Sequence, residues 1–477
     1  SLVGSEMCIR DRGSIFKKAT GIVTDNGNVY ECYNLKENPF PLNPFLNQES
    51  TDKRYNGDIY EASVRDIEEM QVEESFLKVP QSNPSHIRVG YILDTSYVGR
   101  GNGKSSFAIN LIKRINNSYC LDITNEANKC FGLYLTPDTS GRTRSFSNLL
   151  DIWAEAIFNA KVIDYALASL RVDAIVNIMP DKLDESELEN ESALIESLNN
   201  LEWYNKKNIY YDDIHAYLVK NNDFYNKISS SNPLRKRYSN TYSKVNFKII
   251  TSVNIQAYYQ ELKKDSEKID FIFNDMVYLF LASGFNGAYI IVDDFERIPD
   301  FQSDRQKRDF ALEIRRNFFD GTSANARIGF YNLLLMLHAG VPRLIEKAWS
   351  ESGMEQRSSI SPSSAVPHII YFNKLDKNRA ILLIKKYLTE YRINKEDSIQ
   401  PFTESAIAKI GEEKEYNAAQ MLGLAYMLLE NAAKNNIKTI DVAEVTHMLK
   451  KSEIEVKTAE NIIDENSSDL LNKANQE

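Results

Sequence analysis

Cysteine and histidine are both scarce in this chain, with four and five copies among 477 residues. None of Cys8, Cys32, Cys120 and Cys130 forms a CxxC pair. Neither a thiolate zinc site nor a disulfide framework is therefore expected, and a reducing, cytoplasmic setting fits. Also missing is any apolar run approaching the ~20 residues that a membrane span needs, so no membrane partner is expected. Positive charge is in deficit: 57 Lys and Arg stand against 67 Asp and Glu, a formal net charge of -10. A surface devoted to nucleic acid carries the opposite balance, so charge does not support DNA as a partner, although a local basic patch is not excluded. The small cluster at 235–238 (Arg-Lys-Arg-Tyr) reads as solvated surface. What remains, 43% hydrophobic and 26% charged residues, is the composition of a globular protein long enough for two or three domains.

The chain is organised around Tyr91-Ile-Leu-Asp-Thr-Ser-Tyr-Val-Gly-Arg-Gly-Asn-Gly-Lys-Ser-Ser106. An apolar run from Val89 to Leu93 leads into a glycine-rich turn. An amphipathic helix pattern comes next at Phe107, Ile109, Leu111, Ile112 and Ile115. Strand, glycine turn, Gly-Lys-Ser, helix is the layout of a phosphate-binding P-loop. Backbone N–H groups in such a turn face inward and form an anion nest, and the positive end of the helix faces the same phosphates. Gly99, Arg100, Gly101, Asn102, Gly103, Lys104, Ser105 and Ser106 are the expected cradle. Lys104 is assigned the β- and γ-phosphates, and the Ser105 hydroxyl a Mg²⁺ ion. The strict motif has glycine where Val98 stands.

A second motif, Tyr289-Ile-Ile-Val-Asp-Asp-Phe-Glu296, is an apolar run ending in acids. It reads as a Walker B strand that delivers Asp293 to the carboxyl edge of a sheet, where it shares the Mg²⁺ shell with Ser105. Asp294, one methylene shorter than the usual glutamate, is expected to polarise the attacking water, with Glu296 as its neighbour. His338 ends the next strand pattern and could donate a hydrogen bond to the γ-phosphate or the water. Arg343 and Arg357 are candidates for an arginine acting on a neighbouring subunit's nucleotide, and Arg357 is preferred.

Around these motifs, strands are expected at Cys130–Thr136, Ala288–Asp294, Ile328–Leu337 and His368–Phe372, beside Val89–Leu93. Alternation with helices at Phe146–Phe158 and Phe271–Ser283 predicts an α/β fold: a three-layer αβα core on a parallel sheet. From residue 374 onward the pattern is all helical, with Thr403 as a helix N-cap. The expected organisation is a non-native, adapter-derived segment at 1–12 and an N-terminal arm at 13–87. A P-loop core is expected at 88–372 with a mainly helical insertion at about 170–265, then a helical domain at 373–450 and a polar tail at 451–477. Residues 1–12 lack the hydrophobic region of a signal peptide. Within the arm, Asn38-Pro-Phe-Pro-Leu-Asn-Pro-Phe45 imposes an extended course, and such an arm often packs against a nucleotide base.

The order P-loop, strand, helix, Walker B, polar-tipped strand, arginine, strand and helical bundle resembles the AAA+ ATPases. It is most similar to the ORC-like branch, including the ATP-binding proteins of BREX-type defence systems. The resemblance spans about 38 to 450 apart from the insertion, and Gly284-Phe-Asn-Gly287 before the acidic motif adds to it. It implies ATP and Mg²⁺ as cofactors, a helical lid, and assembly with copies of itself or other proteins of its system. The implied activity is ATP hydrolysis driving a conformational or assembly switch, in DNA-linked defence or maintenance. The alternative is a nucleotide-binding scaffold or signalling protein with little hydrolysis. Two departures stand out. Asn417-Ala-Ala-Gln420 occupies the place of the lid arginine, and no winged helix comes after the bundle.

Overall fold

The computed structural model describes residues 28–43, 46–47, 50–83, 85–95, 101–231, 250–361 and 368–451. The expected adapter segment, the tail beyond 451, Gly99 and Arg100, Pro44 and Phe45, and the basic cluster at 235–238 lie outside them. The chain divides into two compact units. Of the described residues, one contains those within 46–379 and 415–420; the other gathers 28–43, 380–414 and 421–451. The arm expected at 13–87 is therefore split between the two, and the boundary expected near 373 falls at 380.

The first unit is built on a five-stranded sheet in the order β2-β3-β4-β1-β5. The strands are β1 (Val89–Asp94), β2 (Cys130–Leu135), β3 (Gly287–Val292), β4 (Tyr331–Leu337) and β5 (Ile369–Phe372), and every pairing is parallel. The sequence runs are almost continuously apolar because both faces are covered. Side chains still alternate with the strand period of two. Val89, Tyr91, Phe131, Leu133, Ala288, Ile290, Leu333 and Leu335 share one core. Ile92, Cys130, Tyr289, Ile291, Leu334, Met336 and Ile370 share the other. The expected strand Ile328–Leu337 is corrected at its start. Ile328 closes a short helix, Ala324–Ile328, and Gly329 at φ +78° caps it before β4 begins at Tyr331.

Helix α1 (Asp66–Val72) precedes β1. Helix α2 (Lys104–Asn117) connects β1 to β2 and contributes Phe107, Ala108, Leu111 and Ile115 to the second core. Helix α3 (Phe146–Asn159), with α4 (Val162–Ile178), α5 (Asp304–Arg315) and α6 (Val341–Ser352), contributes to the first. Thus β1 is succeeded by a helix on one face and β4, its neighbour, by a helix on the other. At such a switch point a crevice opens beyond the carboxyl ends of the strands.

The expected insertion is helical, with helices at Glu185–Glu189, Glu191–Leu198, Leu201–Lys207, Tyr211–Asn221 and Ser252–Glu261 among others. It is not a separate module, because Leu198, Tyr204, Ile214, Leu218 and Tyr259 belong to the sheet's own first core. The buried guanidinium of Arg171 on α4 pins it by donating to Leu198 O at 2.8 Å, Asn199 Oδ1 at 2.6 Å and Ile250 O at 2.7 Å.

The second unit is helical, with α7 (Lys377–Glu390), α8 (Glu404–Glu413), α9 (Ala418–Lys434) and a further helix over 442–451. The first residues of α7 and α9 belong to the sheet unit. Thr403 caps α8 as expected, its hydroxyl accepting from the Ala406 amide at 3.1 Å. Phe40 from the arm is a core residue here, stacked on Tyr387 and edge-on to Phe402. The Asn38 amide holds the arm by donating to Tyr426 O at 3.1 Å. Among the described residues no helix is long and apolar enough to cross a membrane.

Candidate functional site

The carboxyl edge of a parallel sheet collects the last residue of every strand. Here those positions carry Asp94 at the end of β1, Thr136 after β2, Asp293 after β3, His338 after β4 and Asn373 after β5. The amino end of α2 meets the same edge because α2 starts only ten residues beyond the end of β1.

The described part of the loop, Gly101 to Gly103, is held from three sides. Gly101 adopts φ +122°, where a side chain is strained, and a Cβ there would lie 2.5 Å from Ala419 Cβ and 2.9 Å from Asn417 Oδ1. The Ala419 amide donates to Gly101 O at 2.9 Å, so the segment 415–420 is fixed against the loop within one unit. Arg65, just ahead of α1 and buried, donates to Asn102 O at 2.5 Å and to Asn373 O at 2.8 Å. Its guanidinium lies over the Phe372 ring at 4.6 Å and pairs with Glu68 at 3.0 Å. Burial lowers its pKa, and Glu68 opposes that. Gly103 at φ +85° has open space where a Cβ would stand, so its glycine serves backbone geometry alone. Lacking a side chain, Gly103 also leaves the first-turn amides of α2 without a side-chain acceptor. These amides, at the positive end of a fourteen-residue helix, are suited to an anion. Arg114 anchors α2 from behind, pairing with Glu69 at 2.9 Å and Glu73 at 2.6 Å.

Lys104 points to the sheet edge. Its ammonium lies 2.7 Å from Asp94 Oδ2, and the Asn102 amide donates to Asp94 Oδ1 at 2.8 Å. Asp94 is fully buried, and Lys104 retains 13% side-chain exposure. Asn102 Oδ1, also buried, has no hydrogen-bond partner among the described residues. An incoming phosphate must compete with Asp94 for the ammonium.

Asp293 is engaged by a side chain of β2. The Tyr134 hydroxyl on β2 donates to Asp293 Oδ2. Burial, and then the Asp293 carboxylate, push this phenol far above the ordinary tyrosine range. The Thr136 and Ser105 hydroxyls oppose the shift. Asp293 itself is buried, and its amide still pairs with Leu135 O at 2.8 Å.

The strand ends at Val292, not at Asp294 as expected, because Asp294 adopts the left-handed conformation (φ +47°) that aspartate tolerates better than most residues. Its amide donates to Asp293 Oδ1 at 2.8 Å, and its carboxylate pairs with Arg297. Glu296 is buried in the short turn immediately after it. His338 is half-buried on the strand between β1 and β3. Register sets Val292 level with Leu335, so His338 stands about 7 Å further along the strand direction than Asp293. Ser106 opens α2 beside Ser105.

Arg357 is not brought to this edge. It pairs with Asp320 at 2.6 Å and lies close enough to Arg88 to depress that residue's pKa, after burial. Arg88 immediately precedes β1, so Arg357 sits at the amino edge. Arg343 is exposed on the first turn of α6.

Asp94, Tyr134 and Arg65 are site residues that motif reading did not single out. A carboxylate closing the strand before a glycine loop was the visible signal for Asp94. Tyr134 and Arg65 become relevant only once register and packing are known.

The donor set suits a hard cation held mainly by phosphate oxygens: one hydroxyl, Ser105, and one carboxylate, Asp293, both oxygen ligands. Among the described residues, no group of three or more His, Cys, Asp or Glu is placed to hold a metal without such help. Comparison with known proteins finds no family model and no curated protein that matches this chain.

Proposed function

We propose that the chain is a P-loop ATPase of the AAA+ type, similar to the ORC-like branch, that binds ATP with Mg²⁺ and uses hydrolysis to switch conformation or assembly. The observation that carries the proposal is that Asp293, held by the Tyr134 hydroxyl, ends at the sheet edge that the first turn of α2 meets. It is supported by an uncapped helix terminus and a lysine at the same sheet edge.

On this reading the first-turn amides of α2 and the Lys104 ammonium bind the phosphates, with Asn102 and Gly101 shaping the loop. Ser105 and Asp293 hold the magnesium ion, which when bound neutralises charge on the transferring phosphoryl group. Asp294, Glu296 and His338 are the candidates for orienting water. Arg357 could act only on the nucleotide of another subunit. The helical unit serves as the lid, and an assembly of like or partner subunits in the cytoplasm, in DNA-linked defence or maintenance, completes the proposal.

One observation favours a second reading, a nucleotide-binding scaffold with little hydrolysis. The Asp294 carboxylate is engaged by Arg297, which also donates to Pro137 O at 3.0 Å. Steady-state phosphate release measured beside ATP affinity separates the two. Turnover above background that requires Mg²⁺ supports the ATPase; tight ATP binding with background turnover supports the scaffold. No ATP binding in either assay overturns both.

A further inference from the structure

The acid assigned to magnesium is engaged by a tyrosine from the neighbouring strand. In a magnesium site shared by a P-loop hydroxyl and an acid on a nearby strand, the two side chains must be held at a fixed separation while the ion and its waters come and go. Serine and aspartate have few rotatable bonds, but nothing in either fixes one relative to the other. Here the phenol of Tyr134 reaches the acid: its O–H donates to Asp293 Oδ2, and Tyr134 lies on the face of the sheet covered by α2, the helix that carries Ser105.

The position is set by the strand period. Leu133 and Leu135 of β2 belong to the first core, while Tyr134 packs against the second, the face that α2 covers. Only that face can present a β2 side chain to the first turn of α2. The parallel register that sets Leu135 beside Val292 brings the tip of Tyr134 to the acid just beyond β3. The ring is fixed by the core below it, so the hydroxyl has little freedom.

We propose that Tyr134 is a positioning residue for the metal half of the site, its hydroxyl holding the Asp293 carboxylate in register with Ser105. This rests on the magnesium–nucleotide reading above. A hydrogen-bonded partner of this sort fixes ligand orientation without touching the ion, and its loss typically costs 10–100-fold in metal affinity. Among the described residues the Tyr134 hydroxyl donates to Asp293 and not to Lys104 or the loop, so nucleotide binding without metal should be independent of it.

The test is the substitution Tyr134→Phe, which keeps the ring and removes the hydroxyl, with Tyr134→Leu as a second hydroxyl-free side chain should the first fail to fold. ATP affinity is measured by calorimetry with EDTA and with Mg²⁺, and Mn²⁺ affinity of the ATP-bound protein by electron paramagnetic resonance. The expected result is unchanged ATP affinity in EDTA and Mn²⁺ affinity weakened about 10-fold or more. In Ser105→Ala the same tyrosine change should have a much smaller effect, because the metal site has already lost one of its two ligands. If wild-type protein binds Mn²⁺ and ATP and Tyr134→Phe matches it, the positioning role is overturned while the nucleotide reading stands. If wild-type protein binds neither, both fall. A loss of ATP affinity in EDTA equal to the loss in Mg²⁺ also overturns the proposal, since it indicates general damage to the loop.

Discussion

Removing the Lys104 ammonium should destabilise the sheet unit as well as weaken any phosphate site. In most settings an exposed lysine can be truncated at a cost within about 0.5 kcal/mol. Here its partner Asp94 is fully buried, 2.7 Å from the ammonium. Lys104→Ala would remove that charge and leave the carboxylate with the neutral Asn102 amide as a donor from the loop. Breaking a buried ion pair from one side costs about 3–5 kcal/mol. The lower end applies because Asn102 persists and Lys104 is 13% exposed, giving about 3 kcal/mol. Asp94→Asn should cost less, about 1 kcal/mol, since the freed ammonium can reach water. The double variant should recover about 2 kcal/mol relative to Lys104→Ala alone, leaving a cost of about 1 kcal/mol, so a double-mutant cycle should read a coupling of about 3 kcal/mol. Urea unfolding monitored by tryptophan fluorescence suits this case, because Trp153, Trp203 and Trp349 all lie in the sheet unit. If Lys104→Ala unfolds within about 0.5 kcal/mol of wild type, as a surface pair would, the buried pairing of Lys104 with Asp94 is wrong.

Gly101→Ala should cost about 1–3 kcal/mol, because its Cβ would stand 2.5 Å from Ala419 Cβ at φ +122°, whereas Gly103→Ala should cost about 1 kcal/mol from backbone strain alone; equal costs in urea unfolding would contradict the packing. Asp293→Asn should keep much of the ATP affinity and lose Mg²⁺-dependent phosphate release, so unchanged release would remove Asp293 from the metal site. His86 is held down to about 4 by burial, with Arg88 adding. Because the unfolded chain takes up that proton near 6.5, the contribution is whole above 6.5 and is lost as pH falls toward 4, up to about 3 kcal/mol. His86→Gln should reduce this acid sensitivity, and an unchanged pH profile of stability would count against it.

The strands were legible because an apolar run between turn residues is hard to read otherwise at these lengths. Ile328 is the exception. It is as apolar as the residues of β4, but Gly329 ends a helix there, and hydrophobicity alone does not separate a buried helix end from a buried strand start. The core role of the insertion was not legible. Its helices are short, so each offers one or two anchors such as Tyr204 or Leu218, too few to show a period. At the site, Lys104, Ser105 and Asp293 could be read because their chemistry is tied to local spacing. Asp94, Tyr134 and Arg65 could not be assigned their contacts, since these depend on which strands are neighbours. Arg357, expected to act on a neighbouring subunit's nucleotide, lies at the opposite edge of this sheet, and its role depends on an assembly rather than on this chain's own register.

The central claim, that this sheet edge grips a triphosphate, is tested most directly by calorimetric titration of ATP with Mg²⁺ into the wild-type protein and into the Asp94→Asn, Lys104→Ala double variant, which removes the ammonium while sparing the fold. Saturable binding by wild type and none by the double variant is the predicted result. Absence of binding by a folded wild-type protein at millimolar ATP, or equal binding by both, would contradict it.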